Sequence, residues 1–125
     1  MELQSHEVVA CLVAADHADT TAATGAWVDV RHCVGDIAVI AAVGVVTGGT
    51  VTGTIETASD DQAAGLATLT PNEGAFTVVT TSNDPKTEKR TVNARHTLGF
   101  IRYKGTIATG PAVVGASVIK RKNNI

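Results

Sequence analysis

Residues 36–58 read DIAVIAAVGVVTGGTVTGTIETA, two runs of β-branched and small residues joined through Thr47-Gly48-Gly49. In the second run Val51, Gly53, Ile55 and Thr57 fall on one face, and Thr50, Thr52, Thr54 and Glu56 on the other. Alternation of period two marks a half-buried β-strand. In the first run both sets are apolar, Ile37/Val39/Ala41/Val43 and Ala38/Ile40/Ala42. A strand with two apolar faces reads as central and covered on both sides. Glycines accept positive φ, so the two runs are expected to close as an antiparallel hairpin.

The rest of the chain repeats this grammar of short Val/Ile/Thr/Ala runs between turn residues, which reads as all-β. AWVDVRH, 26–32, is a short strand; ATLT and GAFTVVTTS are strand-like and separated by a turn at Pro71-Asn72-Glu73-Gly74. NDPKTEKR, 83–90, reads as a charged surface loop. In TLGFIRYKGTIATG, 97–110, Leu98, Phe100 and Arg102 share one face while Ile101 and Tyr103 share the other. Gly110-Pro111 then turns the chain into PAVVGASVIKRK as a second hairpin. Val8 to Ala18 reads as a strand leading into a meandering surface segment, with a short helix as the alternative. The expected fold is therefore all-β: a single-domain antiparallel β-sandwich or barrel built of hairpins, with an irregular N-terminal segment. Within 1–125, residues 1–25 form an N-terminal arm or edge strand, 26–121 the β core and 122–125 a tail.

Composition narrows the function. The chain has 125 residues, 44% hydrophobic and 18% charged, enough apolar surface to offset ordering entropy in one domain. A net charge of −2 and only four aromatics (one Trp, one Tyr, two Phe) argue against nucleic acid as a partner. No run reaches the ~18 apolar residues of a membrane span, and Glu2, His6 and Glu7 stand where a leader would carry basic residues. Synthesis in the cytosol and no membrane partner are expected.

The candidate chemistry is thin. Ser59-Asp60-Asp61 lacks the elbow and positioned His of an acyl-transfer nucleophile, and supplies too few oxygens for calcium. A strand end whose Ser or Asp oxygen caps the next turn explains it. Gly44, Gly48, Gly49 and Gly53 have no phosphate-loop pattern. His6, His17, His32 and His96 are scattered without zinc spacing, and Cys11 and Cys33 read as buried free thiols. His32 beside Cys33 is not a catalytic pair, because neighbours on a strand point to opposite faces. Trp27, Phe76, Phe100 and Tyr103 read as core, with an aromatic ligand cleft as the alternative. No catalytic residue, cofactor or metal site is expected. Arg102, beside Tyr103, is a candidate for holding a loop or a partner's carboxylate.

VDVRHCVGDIAVIAAVGVVTGGTVTGTIETASDD, 28–61, followed by LGFIRYKGTIATGPAVVGASVIKRK, 98–122, resembles a group of small proteins encoded in the structural modules of tailed bacteriophages. The likeness spans about residues 26 to 121 and rests on Val28-Asp29-Val30-Arg31, Gly48-Gly49, Ser59-Asp60-Asp61 and Arg102-Tyr103. The chain departs from the pattern at Lys104-Gly105 and at His32-Cys33. The resemblance implies a virion protein, a capsid cement or decoration protein on the outside of an HK97-type shell, stabilising it by multivalent contacts. Its partners would be the major capsid protein and copies of itself, as homodimer or homotrimer. Candidate contacts are Arg102, Tyr103, Lys120, Arg121 and Lys122. Alternatives are a head–tail joining or tail protein, and a small-ligand or carbohydrate-binding β-module with Trp27 and Tyr103 as platforms.

Overall fold

The structure is a computed structural model describing residues 4–17 and 22–123. In chain order the strands are β1 (Gln4–His17), β2 (Ala22–Thr24), β3 (Val28–Asp29), β4 (Asp36–Val46), β5 (Thr50–Ala58), β6 (Ala67–Leu69), β7 (Val79–Thr80), β8 (Lys86–Asn93), β9 (Phe100–Ala108) and β10 (Ala112–Asn123). A 3₁₀ turn, Ala94–His96, separates β8 from β9.

All pairings are antiparallel, in two sheets. The first has the order β1-β10-β4-β8. In the second, β2 and β3 lie end to end along one edge of β9, while β6 and β7 lie end to end along the far edge of β5. Merging those pairs makes it four strands wide, matching the first sheet. The chain alternates between sheets at β1–β2, β3–β4, β4–β5, β7–β8, β8–β9 and β9–β10, staying within one sheet from β2 to β3 and from β5 through β7. Eight strands wound this way form a jelly roll, a sandwich of two interlocked Greek keys.

The two expected hairpins are therefore absent. The chain leaves β4 through Thr47-Gly48-Gly49 and crosses to the other sheet, because both edges of β4 are taken by β10 and β8. The Gly110-Pro111 connection likewise carries β9 in one sheet to β10 in the other. These two arches nest: the Thr47 amide donates to the Pro111 carbonyl at 3.0 Å, and a side chain at Gly49 would overlap the Ala108 carbonyl oxygen. Gly48 and Gly49 both hold positive φ, 88° and 80°, so glycine is required here by conformation and by space.

Alternation elsewhere holds. Val51, Gly53, Ile55 and Thr57 face inward from β5, and Ile101, Tyr103, Gly105 and Ile107 from β9. They meet Ile37, Val39, Ala41 and Val43 of β4 and Val114, Ala116 and Val118 of β10. Each fully buried Val or Ile contributes about 1.5–3 kcal/mol through removal from water. The outer face of β4 corrects the expectation of cover on both sides: Ala38 and Ile40 are half-buried and Ala42 exposed, with no described element over them. Residues 86–90, expected within the charged loop 83–90, belong instead to the edge strand β8; an edge tolerates charge because its side chains reach water. Residues 4–17 supply an edge strand along β10, with register irregularities between Ala10 and Leu12 and between Leu12 and Ala15.

The core centres on Tyr103, 1% exposed. Its ring lies across the cross-strand pair Gly53–Gly105, where added Cβ atoms would stand 2.7 Å and 3.2 Å from it, and meets Phe76 edge-on at 5.6 Å. Burial, with Glu88 nearby, pushes the Tyr103 phenol up to about 12 from its ordinary 10.0. A raised phenol makes stability full below pH 10.0 and lost as pH rises toward about 12. Three carboxyls are held below their ordinary range. Asp29 is lowered first by its hydrogen bonds from Arg31, and Glu73 by those from Thr91. Burial raises Glu88, but donors on Thr77 and the charges of Arg90 and Lys86 outweigh it. Their contribution is complete above pH about 4.5 and is lost as pH falls below it. Thermal unfolding should therefore be flat at neutral pH and decline on both limbs. Tyrosinate absorbance of the single tyrosine should appear together with loss of the β circular dichroism signal; ionisation with the fold intact would contradict this packing.

Candidate functional site

Arg102 and Tyr103 part company because neighbours on a strand face opposite ways. Tyr103 is in the core, so its side chain offers nothing to a partner: a correction to the contact set read from the sequence. Arg102 lies on the outer face of the second sheet, its guanidinium 4.3 Å above the Trp27 ring and its Nε donating to Glu56 at 2.8 Å. Glu56, 7% exposed, stands opposite Arg102 in the β5–β9 register.

Two more aromatics are capped the same way, Phe100 by Arg31 at 5.0 Å and Phe76 by Arg90 at 5.6 Å. Guanidinium planes stack on ring faces, and here they occupy the faces a sugar ring or base would need. An open platform of Trp27 and Tyr103 does not exist.

Lys120 reaches inward, donating to the Asp29 carbonyl at 2.9 Å and lying 3.5 Å from Glu7, so it ties β10 to β3 and β1. The Arg121 carbonyl accepts the Val34 amide at 2.9 Å, and its guanidinium lies near Gly35. The Lys122 backbone pairs with Ser5; its side chain lies outside the described residues.

Asp60 Oδ1 accepts the amides of Gln62 at 2.8 Å and Ala64 at 3.0 Å, while the Ser59 hydroxyl donates to the Ala64 carbonyl at 3.1 Å. The acidic stretch is a capped turn, as its residue types indicated. Among the described residues, no three His, Cys, Asp or Glu side chains converge in a metal-sized group. Both cysteines are free thiols, Cys11 buried and Cys33 half-buried. Cys11 Sγ donates to the Ala26 carbonyl and accepts the Tyr103 amide, both at 3.4 Å, and burial raises its pKa, which keeps it protonated and unreactive.

Two surface features escaped the sequence reading. The first is the outer face of the first sheet, where Ala10, Ile40, Ala42, Gly115 and Ser117 line a shallow groove of about 270 Å³ beside Val13. The second is a cavity of about 410 Å³ at the end of the sandwich, between the connector 30–35 and the segment 94–99. Val30, Cys33, Ala94 and Leu98 line it, with Arg31 and Arg95. Asn93 caps the 3₁₀ turn by accepting the Arg95 amide at 2.9 Å, and the Ala94 amide donates to Gly35 at 2.9 Å, joining the two walls.

No family model and no curated protein matches the chain. Among solved structures it is similar to the VP2 subviral particle of infectious bursal disease virus, at 10% identity and a TM-score of 0.34 over 96% of this chain and 41% of that one. T=1 particles derived from the same virus align at 12% identity and 0.34, over 96% and 40%. The Gt strain aligns at 11% and 0.34, over 95% and 42%. The neighbours are viral capsid proteins, and the chain spans about two fifths of their length.

The Arg102 arrangement carries a measurable consequence. Arg102→Ala should remove the lid from the single tryptophan and leave Glu56 unpaired, shifting Trp27 emission to the red and lowering stability by about 1–3 kcal/mol. Denaturant titration followed by fluorescence tests this; unchanged emission would mean the stack is not maintained in solution.

Proposed function

We propose that this chain is a virion structural protein acting by surface contact, attached to the outside of a major-capsid-protein shell as a cement or decoration subunit. The observation that carries this reading is the outer face of the first sheet. Val8, Val13 and Val45 are 67%, 75% and 65% exposed, and Ala38, Ile40 and Ala42 lie on the outward side of β4. Contiguous exposed apolar surface on a folded domain marks a protein–protein site. A rigid sandwich presenting such a face in many copies stabilises a shell through contacts that are individually weak.

A second reading, that the chain is itself a shell-forming subunit, is favoured by the jelly-roll winding, an architecture used by viral capsid domains. The carbohydrate-module reading loses its support with Trp27 stacked under Arg102 and Tyr103 in the core.

Sedimentation with purified mature shells separates these outcomes. A cement subunit should pellet with shells at a saturable ratio, and Ala42→Asp, at an exposed position, should abolish pelleting while leaving circular dichroism unchanged. A shell-forming subunit should instead yield closed particles without added shells. Protein that stays monomeric in the supernatant under both conditions would refute the virion role.

A further inference from the structure

The geometry points to the end cavity as a docking site for an acidic peptide segment of a partner protein, one aliphatic side chain seated on its floor and carboxylates on its arginine rim. The partner's identity as a virion protein rests on the function proposed above; the chemistry of the site does not.

The floor is apolar. Val30 is 2% exposed, Cys33 and Ala94 are half-buried and pack against the core, and Leu98 at the rim is 49% exposed. A volume of about 410 Å³ is within the size range of small-ligand sites. It accommodates a side chain and adjoining backbone.

The rim is cationic. Arg31 spends Nε and Nη2 on Asp29, at 3.0 Å and 2.8 Å, and lies over Phe100, which holds the guanidinium still. A guanidinium has five N–H donors, so the Nη1 end stays available to a second carboxylate. Gly99, at φ +118°, permits this pose, because a Cβ there would stand 3.0 Å from Arg31 Cγ. Arg95 is exposed, and its guanidinium has no ion pair or hydrogen bond among the described residues.

Cations over an apolar floor select the ligand class. A bare inorganic anion would leave the floor wet, and a neutral apolar group would leave Arg95 unused. Single-stranded nucleic acid needs stacking faces, and the arginines already cover those of Trp27, Phe76 and Phe100. An acidic segment with one aliphatic residue satisfies both parts.

Amide chemical-shift mapping on the isotope-labelled full chain tests the site. The probes are acetyl-Glu-Asp-Leu-Asp-Glu-amide, its Leu-to-Ser counterpart, and acetyl-Lys-Lys-Leu-Lys-Lys-amide. The acidic leucine peptide should shift amides of 30–35 and 94–99. Its affinity should fall at least about tenfold in Arg95→Glu or with serine at the centre, a factor worth about 1.4 kcal/mol. It should also weaken as salt rises from about 0.1 M to about 1 M, which shortens the screening length from about 10 Å to about 3 Å. Arg95→Lys should retain binding. Alkylation offers a second readout: Cys33 should react faster with iodoacetate relative to iodoacetamide in the wild type than in Arg95→Glu, with buried Cys11 as the unreactive control. Absence of shifts at millimolar peptide, shifts outside these segments, equal binding of the lysine peptide, or indifference to Arg95→Glu would each overturn the proposal. So would self-association that shields the same amides. Shell pelleting without peptide binding would remove this site and leave the virion role standing; peptide binding without pelleting would do the reverse.

Discussion

The packing depends on one ring laid across two glycines. Most of the interior is Val, Ile and Ala, small enough for two sheets to approach closely, and Tyr103 is the largest of its fully buried side chains. Its ring fits because Gly53 and Gly105, directly paired on β5 and β9, present bare backbone beneath it. An aromatic side chain over a strand glycine restores the contacts the missing side chain forfeits. Phe76, edge-on to the same ring, belongs to the segment between β6 and β7, so the outer edge of the second sheet is held by the same contact. Registry, core depth and edge closure thus meet at one residue.

Arginine plays the complementary part outside. Arg102, Arg31 and Arg90 each cover an aromatic and each also hydrogen-bonds a carboxylate, on Glu56, Asp29 and Glu88 respectively. The planar guanidinium uses its face for the ring and its edge for the oxygen simultaneously. Lysine, a point charge on a flexible stem, would supply only one of the two. These triads cover one face of each ring while leaving a charged exterior. That arrangement fits a stiff contact module better than one built to grasp a planar ligand.

The strands were legible where one residue decided its own face. Alternation in 50–57 marked a half-buried strand and in 100–103 separated the two faces without saying which was inward, and the residue types at 59–61 named the capped turn. Connectivity was not legible, because glycine and proline report that the chain turns, not which sheet it enters. Gly48-Gly49 suits a hairpin and an arch equally; the choice was made by β8 and β10 occupying both edges of β4. Strand β8 was hidden because KTEKRTVN pairs as an edge strand with Lys86, Glu88 and Arg90 on the same face as Val92, leaving only Val92 to signal the interior. The end cavity was invisible for another reason. Its walls are separated by some sixty positions and meet only through bonds such as that from the Ala94 amide to the Gly35 carbonyl.

The outer sheet face and the end cavity differ in what they ask of a partner, and together they specify how attachment would work. A shallow groove of small residues with Val13 and Ile40 would attract weakly and without direction, since area alone does not set affinity or register. A cavity rimmed by arginines offers little area but would fix orientation, because oppositely charged groups must meet and like charges are refused. Two weak contacts on one rigid body reinforce each other when both can be made simultaneously, through effective concentration. The sandwich supplies that rigidity: β10 carries Gly115 and Ser117 on the outer face and continues to Arg121 beside the cavity, so a single central strand fixes the spacing between the two contacts.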